Sequence, residues 1–360
     1  IVGASGAILT GGPGAIFWMW VVAFFGMMTN YSENVLGILY RRKNSKDEWA
    51  GGAMYYLKDG LGERKGCKKL GAGLAVLFSC FCLLASFGIG NMSQVNSMVS
   101  NVYTAFGIPK LATGIFLFVA VSLVVIGGLK RIAAITEKVV PFMVLLYLLG
   151  TLVIIGMNIS TIPAVFVSIF KGAFAMKSVG GGIVGSGIAL AMKMGMKRGV
   201  FSNEAGLGST PHAHALAKVE RPQDQGAVAI LGVFVDTFIV LTLTGLVLIT
   251  SGLIPQGMTG TALTQAAFSQ AFGGFGPIFI AVCMFFFAFS TIIGWYFFGQ
   301  SNFKALFGEK LLPVYSIIVV AFILVGSNLK VDLVWALADL FNGLMAVPNL
   351  LALLALAGVV

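Results

Sequence analysis

Polar residues are so sparse along this chain that its apolar runs read directly as elements. A helix crossing a bilayer needs about 20 apolar residues. Runs of that kind lie near 14–40, 71–103, 111–129, 138–157, 165–200, 226–250, 276–300, 311–327 and 331–346, with partial runs at 1–11 and 349–360. They predict about eleven transmembrane helices. Their length and glycine content favour helices over barrel strands, which show alternating segments of about ten residues. The expected class is an all-α polytopic membrane protein, one transmembrane domain over 1–360.

Composition agrees: 58% of residues are hydrophobic and 10% charged, against about 45–50% apolar in soluble domains. The net charge of +10 would point to nucleic acid in a soluble protein, but here it reports topology. With loop 41–70 on the cytoplasmic side, the loops on that side carry 19 of the 23 basic residues, the positive-inside bias. A multi-pass protein of the cell membrane is expected, with no nucleic-acid partner and no obligate protein partner implied. Cys67, Cys80, Cys82 and Cys283 form no repeated spacing and imply no disulfide framework. Both ends fall inside apolar runs, so half of an opening helix is expected to precede Ile1, and 347–360 to begin an eleventh helix. A signal peptide would start with basic residues, and none is present.

Two segments break the regular pattern. Within "AFAMKSVGGGIVGSGIALAMK" glycines stand at 180, 181, 182, 185 and 187, each weakening a helix by about 0.5–1 kcal/mol relative to alanine. The opening "IVGASGAILTGGPG" is similarly rich in small residues. The glycine-rich run comes five spans after the opening one, an odd number, so the two cross the membrane in opposite senses, as inverted repeats require. That spacing divides the chain into repeats over 1–157, with an incomplete first helix, and 158–346. Either the glycines unwind the helix, or they let helices pack closely. An unwound stretch would expose N–H groups to a carboxylate and C=O groups to an ammonium, binding a zwitterion without charged side chains.

Other polar positions cluster around this theme. Asn91 and Gln94 lie one turn apart, facing either substrate or another helix. Ser290 and Thr291 offer neutral oxygens to an alkali cation, or bond back to their own helix. Trp295 and Phe174 read as pocket walls or as packing aromatics. Asp236 is the best intramembrane acid for a proton-coupled carrier or exchanger, with Glu33 and Asp339 weaker. Neither the glycine break nor the Ser290–Thr291 region contains an acid, which tilts the reading toward sodium.

The densest polar stretch is "KRGVFSNEAGLGSTPHAHALAK", Lys197–Lys218. His212 and His214 stand two apart and would face opposite sides of a helix, which argues against a shared metal or a hydrolase. Ser202, Asn203 and Glu204 are expected to cap the cytoplasmic helix end and act, with Phe201, as an inner gate. On that reading Glu204→Gln changes transport rate more than substrate affinity.

This stretch resembles the signature of the alanine or glycine:cation symporter family, "ARGLFSNEAGLGSAPIAHA". "GGAMYYLKDGLG" at 51–62 is similar to that family's "GGPMYYIEKGLG", with Ala53 at the usual proline. "AFSTIIGWYFFGQ" and "LGVFVDTFIV" match further blocks. The resemblance implies a leucine-transporter-like fold of two inverted five-helix repeats with broken first and sixth helices. It implies symport of sodium with alanine, glycine or a similar small neutral amino acid by alternating access. On it, substrate falls to Gly3, Asn91, Gln94, Phe174, Trp295 and Gly181 with its neighbours Gly180 and Gly182. Sodium falls to the carbonyls near Gly3 and Phe287 and to Ser290 and Thr291.

Overall fold

The computed structural model describes residues 1–44, 47–174, 186–254, 258 and 260–360. The proposed break at Gly180, Gly181 and Gly182 lies outside the described residues. Among those described, seven helical runs are long and apolar enough to cross a bilayer. They are Gly14–Leu39, Lys68–Phe106, Arg131–Met157, Pro222–Thr250, Phe275–Phe307, Glu309–Asn328 and Leu333–Leu356. Shorter apolar helices occupy Val2–Gly11, Lys110–Ile126 and Ile159–Phe174. Exposed Phe24, Phe25, Leu123, Ile126, Ile317 and Leu354 lie on four different helices of the bundle. So much bare apolar surface is a liability in water and a requirement in lipid. The chain is a multi-pass membrane protein.

The opening hairpin follows from "GGPG". Helix α1 (Val2–Gly11) ends where Gly12, at φ +71°, returns its N–H to Ile8 O at 2.8 Å. Pro13 then leads into α2 (Gly14–Leu39). At the far end of α2 a two-residue antiparallel ribbon pairs Arg42 with Ala50 and Lys43 with Trp49. Helix α3 (Ala53–Tyr55) runs on into a π turn at Tyr56–Gly60. This end of the bundle, carrying most of the basic loop residues, is called the basic end below.

Two long spans contain π-helical segments. One joins α4 (Lys68–Phe87) through Gly88–Met92 to α5 (Ser93–Phe106). Later in the chain, α11 (Pro222–Val233) passes through Phe234–Leu241 to α12 (Thr242–Thr250). A π turn rotates the following helix and often marks a functional site; both face the cavity described below. Between these spans come α6 (Lys110–Ile126), α7 (Gly128–Met157), α8 (Ile162–Phe174), α9 (Ser186–Asn203) and the short α10 (Pro211–His214). Then α13 (Gly260–Phe272), α14 (Phe275–Phe307), α15 (Leu312–Asn328) and α16 (Val331–Leu356) complete the bundle.

Three expectations change here. The runs 331–346 and 349–360 are one helix, α16, with Pro348 inside it, so no eleventh helix begins at 347. A proline removes one helical hydrogen bond, and neighbouring groups in a bundle can satisfy the freed carbonyl. Second, Lys197 and Arg198 are not loop charges. Both lie on α9 and pair with Asp339 of α16, at 2.5 and 3.1 Å, and Arg198 is only 8% exposed.

The third change concerns the helix break that the structure does show. Helix α9 ends at Asn203, and non-helical backbone runs to α10. Its depth is set by α2. Ala205 lies opposite Gly26, Gly206 opposite Thr29, and Pro211 opposite Gly37, so Ala205 and Gly206 sit beside the middle of a 26-residue helix. The motif expected to cap a cytoplasmic helix end is therefore an interruption within the bundle. Glu204, Gly206 and Gly208 take φ of +57°, +93° and +75°. At such depth non-helical backbone persists only where protein groups or a cavity satisfy it.

Glycine is required at 208. Its φ is left-handed, and a Cβ there would meet Phe78 and Asn349 within 2.9 Å. A non-glycine residue in that region costs about 1–2 kcal/mol before any clash. Gly208→Ala is therefore expected to lower the thermal midpoint of the detergent-purified protein by several degrees, measured by differential scanning fluorimetry.

Candidate functional site

A cavity of about 170 Å³ lies where α1, the α4–α5 span, the α9 break, the α11–α12 span and α14 converge. It is lined by Gly3 from α1, Gln94 and Ser97 from α5, and Phe201, Ser202 and Glu204 at the end of α9. Asp236, Phe287, Thr291, Trp295 and Trp335 close it. Helices α1 and α9 pass each other antiparallel: Gly3 lies beside Arg198 and Phe201, while Gly11 lies beside Ala191 and Met194.

Two carboxylates reach this cavity, correcting the expectation that the region holds no acid. Glu204, at the left-handed turn where α9 stops, accepts hydrogen bonds from Trp295 Nε1–H at 2.8 Å and from Ser209 Oγ–H at 2.6 Å. Asp236, in the π segment, accepts from Ser202 Oγ–H and Thr237 Oγ1–H, both at 3.1 Å. Among the described residues no lysine or arginine lines the cavity. Its field therefore favours cations, whether an ammonium or a metal ion.

The aromatic wall is built differently from the expectation. Trp295 is 2% exposed, and its ring packs where a Cβ on Gly90 would sit; Gly90, in the π turn of the α4–α5 span, makes that approach possible. Phe174 is 56% exposed and packs at 5.1 Å on Phe17 and 6.0 Å on Trp18, away from the cavity. Periodicity along α8 could not show which side of that helix meets α2. The corresponding wall is Phe201 with Trp335, ring centroids 5.0 Å apart. Arg198 stacks at 4.3 Å over Trp335 while its guanidinium holds Asp339.

The polar candidates separate as well. Gln94 lines the cavity and donates to Ile89 O at 3.1 Å. Asn91 instead donates to Val319 O of α15 at 2.7 Å, an interhelical bond one turn away. Thr291 lines the cavity, whereas Ser290 faces Met143; both hydroxyls donate to Phe287 O, at 2.8 and 3.0 Å. Gly3 and Phe287 are at the wall. Asn203 is turned from the cavity: its Nδ2 donates to Thr237 Oγ1, and its Oδ1 receives Ala205 N–H.

Sequence reasoning missed what holds the break. Glu33, fully buried on α2, receives Gly208 N–H at 3.0 Å. Asn349 of α16 donates to both Glu33 and Gly206 O, and Tyr56 donates to Asn349. Asn30 and Asn34 add bonds with Thr210. The run "NYSENV" at 30–35 was the available signal, four polar residues within an apolar helix.

The histidines have separate structural partners. His212 Nδ1–H donates to Ser209 O, and Nε2 accepts from Asn302, both at 2.8 Å. His214 contacts Gln225. Among the described residues no group of three His, Cys, Asp or Glu could hold a metal.

Over residues 1–360 the sequence matches the profile of the Sodium:alanine symporter family. It is 46% identical to the "Sodium/alanine symporter AgcS" of Methanococcus maripaludis, covering 100% of this chain and 78% of that protein. To two Bacillus subtilis proteins, the "Amino-acid carrier protein AlsT" and the "Probable sodium/glutamine symporter GlnT", it is 40% and 39% identical. Both matches cover 100% of this chain, with 74% and 73% of theirs. Among solved structures, the manganese transporter of Eremococcus coleocola superposes with a TM-score of 0.59 at 14% identity. That likeness, over 99% of this chain and 73% of the other, is one of fold.

Glu204→Gln is expected to weaken substrate binding as well as slow transport, because the carboxylate faces the cavity; unchanged binding in a thermal-shift titration would return Glu204 to a purely gating role. A second expectation concerns acid stability. Burial lowers His212 to about 4 from its ordinary 6.5. The unfolded chain then takes up a proton that the fold refuses, so the stability held by neutral His212 is complete above about pH 6.5. It falls by about 3 kcal/mol as the pH drops to about 4. The thermal advantage of wild type over His212→Gln should therefore shrink between about pH 7 and about pH 5.

Proposed function

The chain belongs to the sodium:alanine symporter family, and from that premise we propose that it imports a small neutral amino acid, alanine or glycine, with sodium. The observation carrying this reading is the small cavity at the α9 break, lined by Glu204 and Asp236 and walled by Trp295, Phe201 and Trp335. Its carboxylates attract the ammonium of an amino acid and a metal cation. The backbone at Gly3 and the amide of Gln94 stand ready for the substrate carboxylate. Sodium is assigned to the side of the cavity with Thr291 and the Phe287 carbonyl, near Asp236. Hydroxyl and carbonyl oxygens suit a hard cation.

Size selection comes from the walls. A cavity of about 170 Å³ admits a methyl side chain but excludes an aromatic one without moving Trp295. Alternating access follows from the break. The antiparallel pair α1 and α9 belongs to inverted repeats over 1–157 and 158–346, and rocking one repeat against the other opens the cavity to either side. Arg198, bridging α9 to Asp339 of α16 beside Trp335, closes the side opposite the basic end. The basic loop 41–70 then lies in the cytoplasm of a cell whose plasma membrane holds the protein.

A second reading has one observation in its favour: Asp236, whose carboxylate faces the cavity, can carry a proton in place of sodium. Uptake of labelled alanine into proteoliposomes separates the two. Symport with sodium predicts uptake at least about tenfold faster under an inward sodium gradient than with potassium, a differential of about 1.4 kcal/mol in cation selectivity. Phenylalanine should not compete. Uptake driven by a pH gradient without sodium would favour Asp236 as a proton carrier, and no uptake of alanine or glycine under any gradient would overturn both.

A further inference from the structure

We propose a second cation site, separate from the cavity, in which Glu33 binds a proton and thereby sets the grip on the α9 break. The site's coupling role rests on the transport reading above; its protonation does not.

One buried acid, Glu33, and one half-buried acid, Glu204, hold the same short stretch of backbone. Glu33 and Glu204 both fasten the 204–210 segment, Glu33 through Gly208 N–H and Glu204 through Ser209 and Trp295. No ion pair among the described residues includes either acid. Like charges held together without a counter-charge force one acid to stay neutral.

Donor placement decides which. Each Glu204 oxygen receives a donor, Trp295 Nε1–H on Oε1 and Ser209 Oγ–H on Oε2, which is how an ionised carboxylate is solvated. On Glu33, Oε1 takes Gly208 N–H and Asn349 Nδ2–H, and the backbone of Gly206 also faces the carboxyl without a bond of ordinary geometry. Oε2, fully buried, has no partner among the described residues. An ionised carboxylate needs donors at both oxygens. A neutral acid needs them only at its carbonyl oxygen, and an O–H left without an acceptor costs far less than an unsolvated buried charge, so the proton belongs on Oε2.

Among the described residues the other groups around Glu33 supply no positive charge. From the π turn after α3, Tyr56 gives its hydroxyl proton to Asn349. From α10, His212 is neutral by its two hydrogen bonds. From α16 only the uncharged Asn349 reaches it, while Asp339 is engaged by Lys197 and Arg198.

Protonation adds H⁺ from water to a carboxylate oxygen; one O–H bond forms and no other bond changes. Loss of that proton would place a full charge on the acceptor of Gly208 N–H and Asn349 Nδ2–H. Charge-assisted bonds are about twice as strong as neutral ones, so the break would be gripped harder while Glu33 repelled Glu204. The proton is thus a second ion whose binding alters how readily the break rearranges.

Infrared spectroscopy of the intact protein tests the assignment. The carbonyl band of a protonated carboxyl, recorded at about pH 7, is expected in wild type, reduced in Glu33→Gln and unchanged in Glu204→Gln. Carbon-13 labelling of all glutamates should shift it in wild type without any variant. A band that keeps its full intensity in Glu33→Gln, disappears in Glu204→Gln instead, or ignores the glutamate label overturns the proposal.

Alanine uptake tests the coupling. Between about pH 6 and about pH 9 the wild-type rate should change by about tenfold and that of Glu33→Gln by less than about twofold. Sodium-dependent uptake with the same pH profile in both proteins overturns the coupling. If wild type takes up no alanine under any gradient, the transport reading has failed, and the infrared band still decides whether Glu33 holds a proton.

Discussion

The fold depends on satisfying bare backbone in the middle of a membrane bundle. Between Asn203 and Pro211 the chain gives up helical hydrogen bonds at a depth where each unsatisfied group costs several kcal/mol. Glu33 and Asn349, on α2 and α16, cover the interruption from one side through Gly208 N–H and Gly206 O. Trp295 of α14 anchors Glu204 from the other. Three helices distant in sequence are thereby tied to seven residues of loop. The hydrophobic clusters around them position those donors and acceptors, while the surface presented to lipid carries little specificity.

That arrangement explains why the cavity lies where it does. Glu204 can turn from the helix toward Trp295 only because its backbone is left-handed, at φ +57°, an uncommon conformation for a residue with a side chain. Strain of this kind costs about 1–3 kcal/mol and persists when the surroundings over-determine it. Here Ser209 and Trp295 hold the carboxylate, while Asn203 caps Ala205 N–H. Moving Glu204 back into a helix would break all three contacts together, so the turn holds as a unit.

Much of this was legible in the sequence, and the rest failed for identifiable reasons. Apolar run length marked the long spans. The break within residues 204–210 was misread. Counting glycines drew attention to 180–187, most of which lies outside the described residues, and passed over the motif "SNEAGLGSTP", which carries two glycines in left-handed positions and a proline at the start of the next helix. The positive-inside count then set the motif too near the water. It treated Arg198 as a loop charge, although that side chain is buried against Asp339 and Trp335. Pairwise contacts between distant helices, such as Glu33 with Gly208 or Arg198 with Asp339, have no one-dimensional signature.

The same limit explains the swap of Phe174 for Trp335 in the cavity wall. An aromatic residue on an apolar helix is equally suited to lipid, to another helix or to a pocket, and hydropathy assigns it the same score in all three. A buried charge is less ambiguous. Arg198 cannot face lipid cheaply, so it must find a carboxylate, and once it bonds Asp339 its stem and guanidinium face fix Trp335 and Phe201 beside the cavity. Glu204 and Asp236 obey the same constraint with hydroxyl and indole donors. In an apolar chain the few ionisable residues therefore determine the site more firmly than the many aromatics around it, because each has so few places where it can be satisfied.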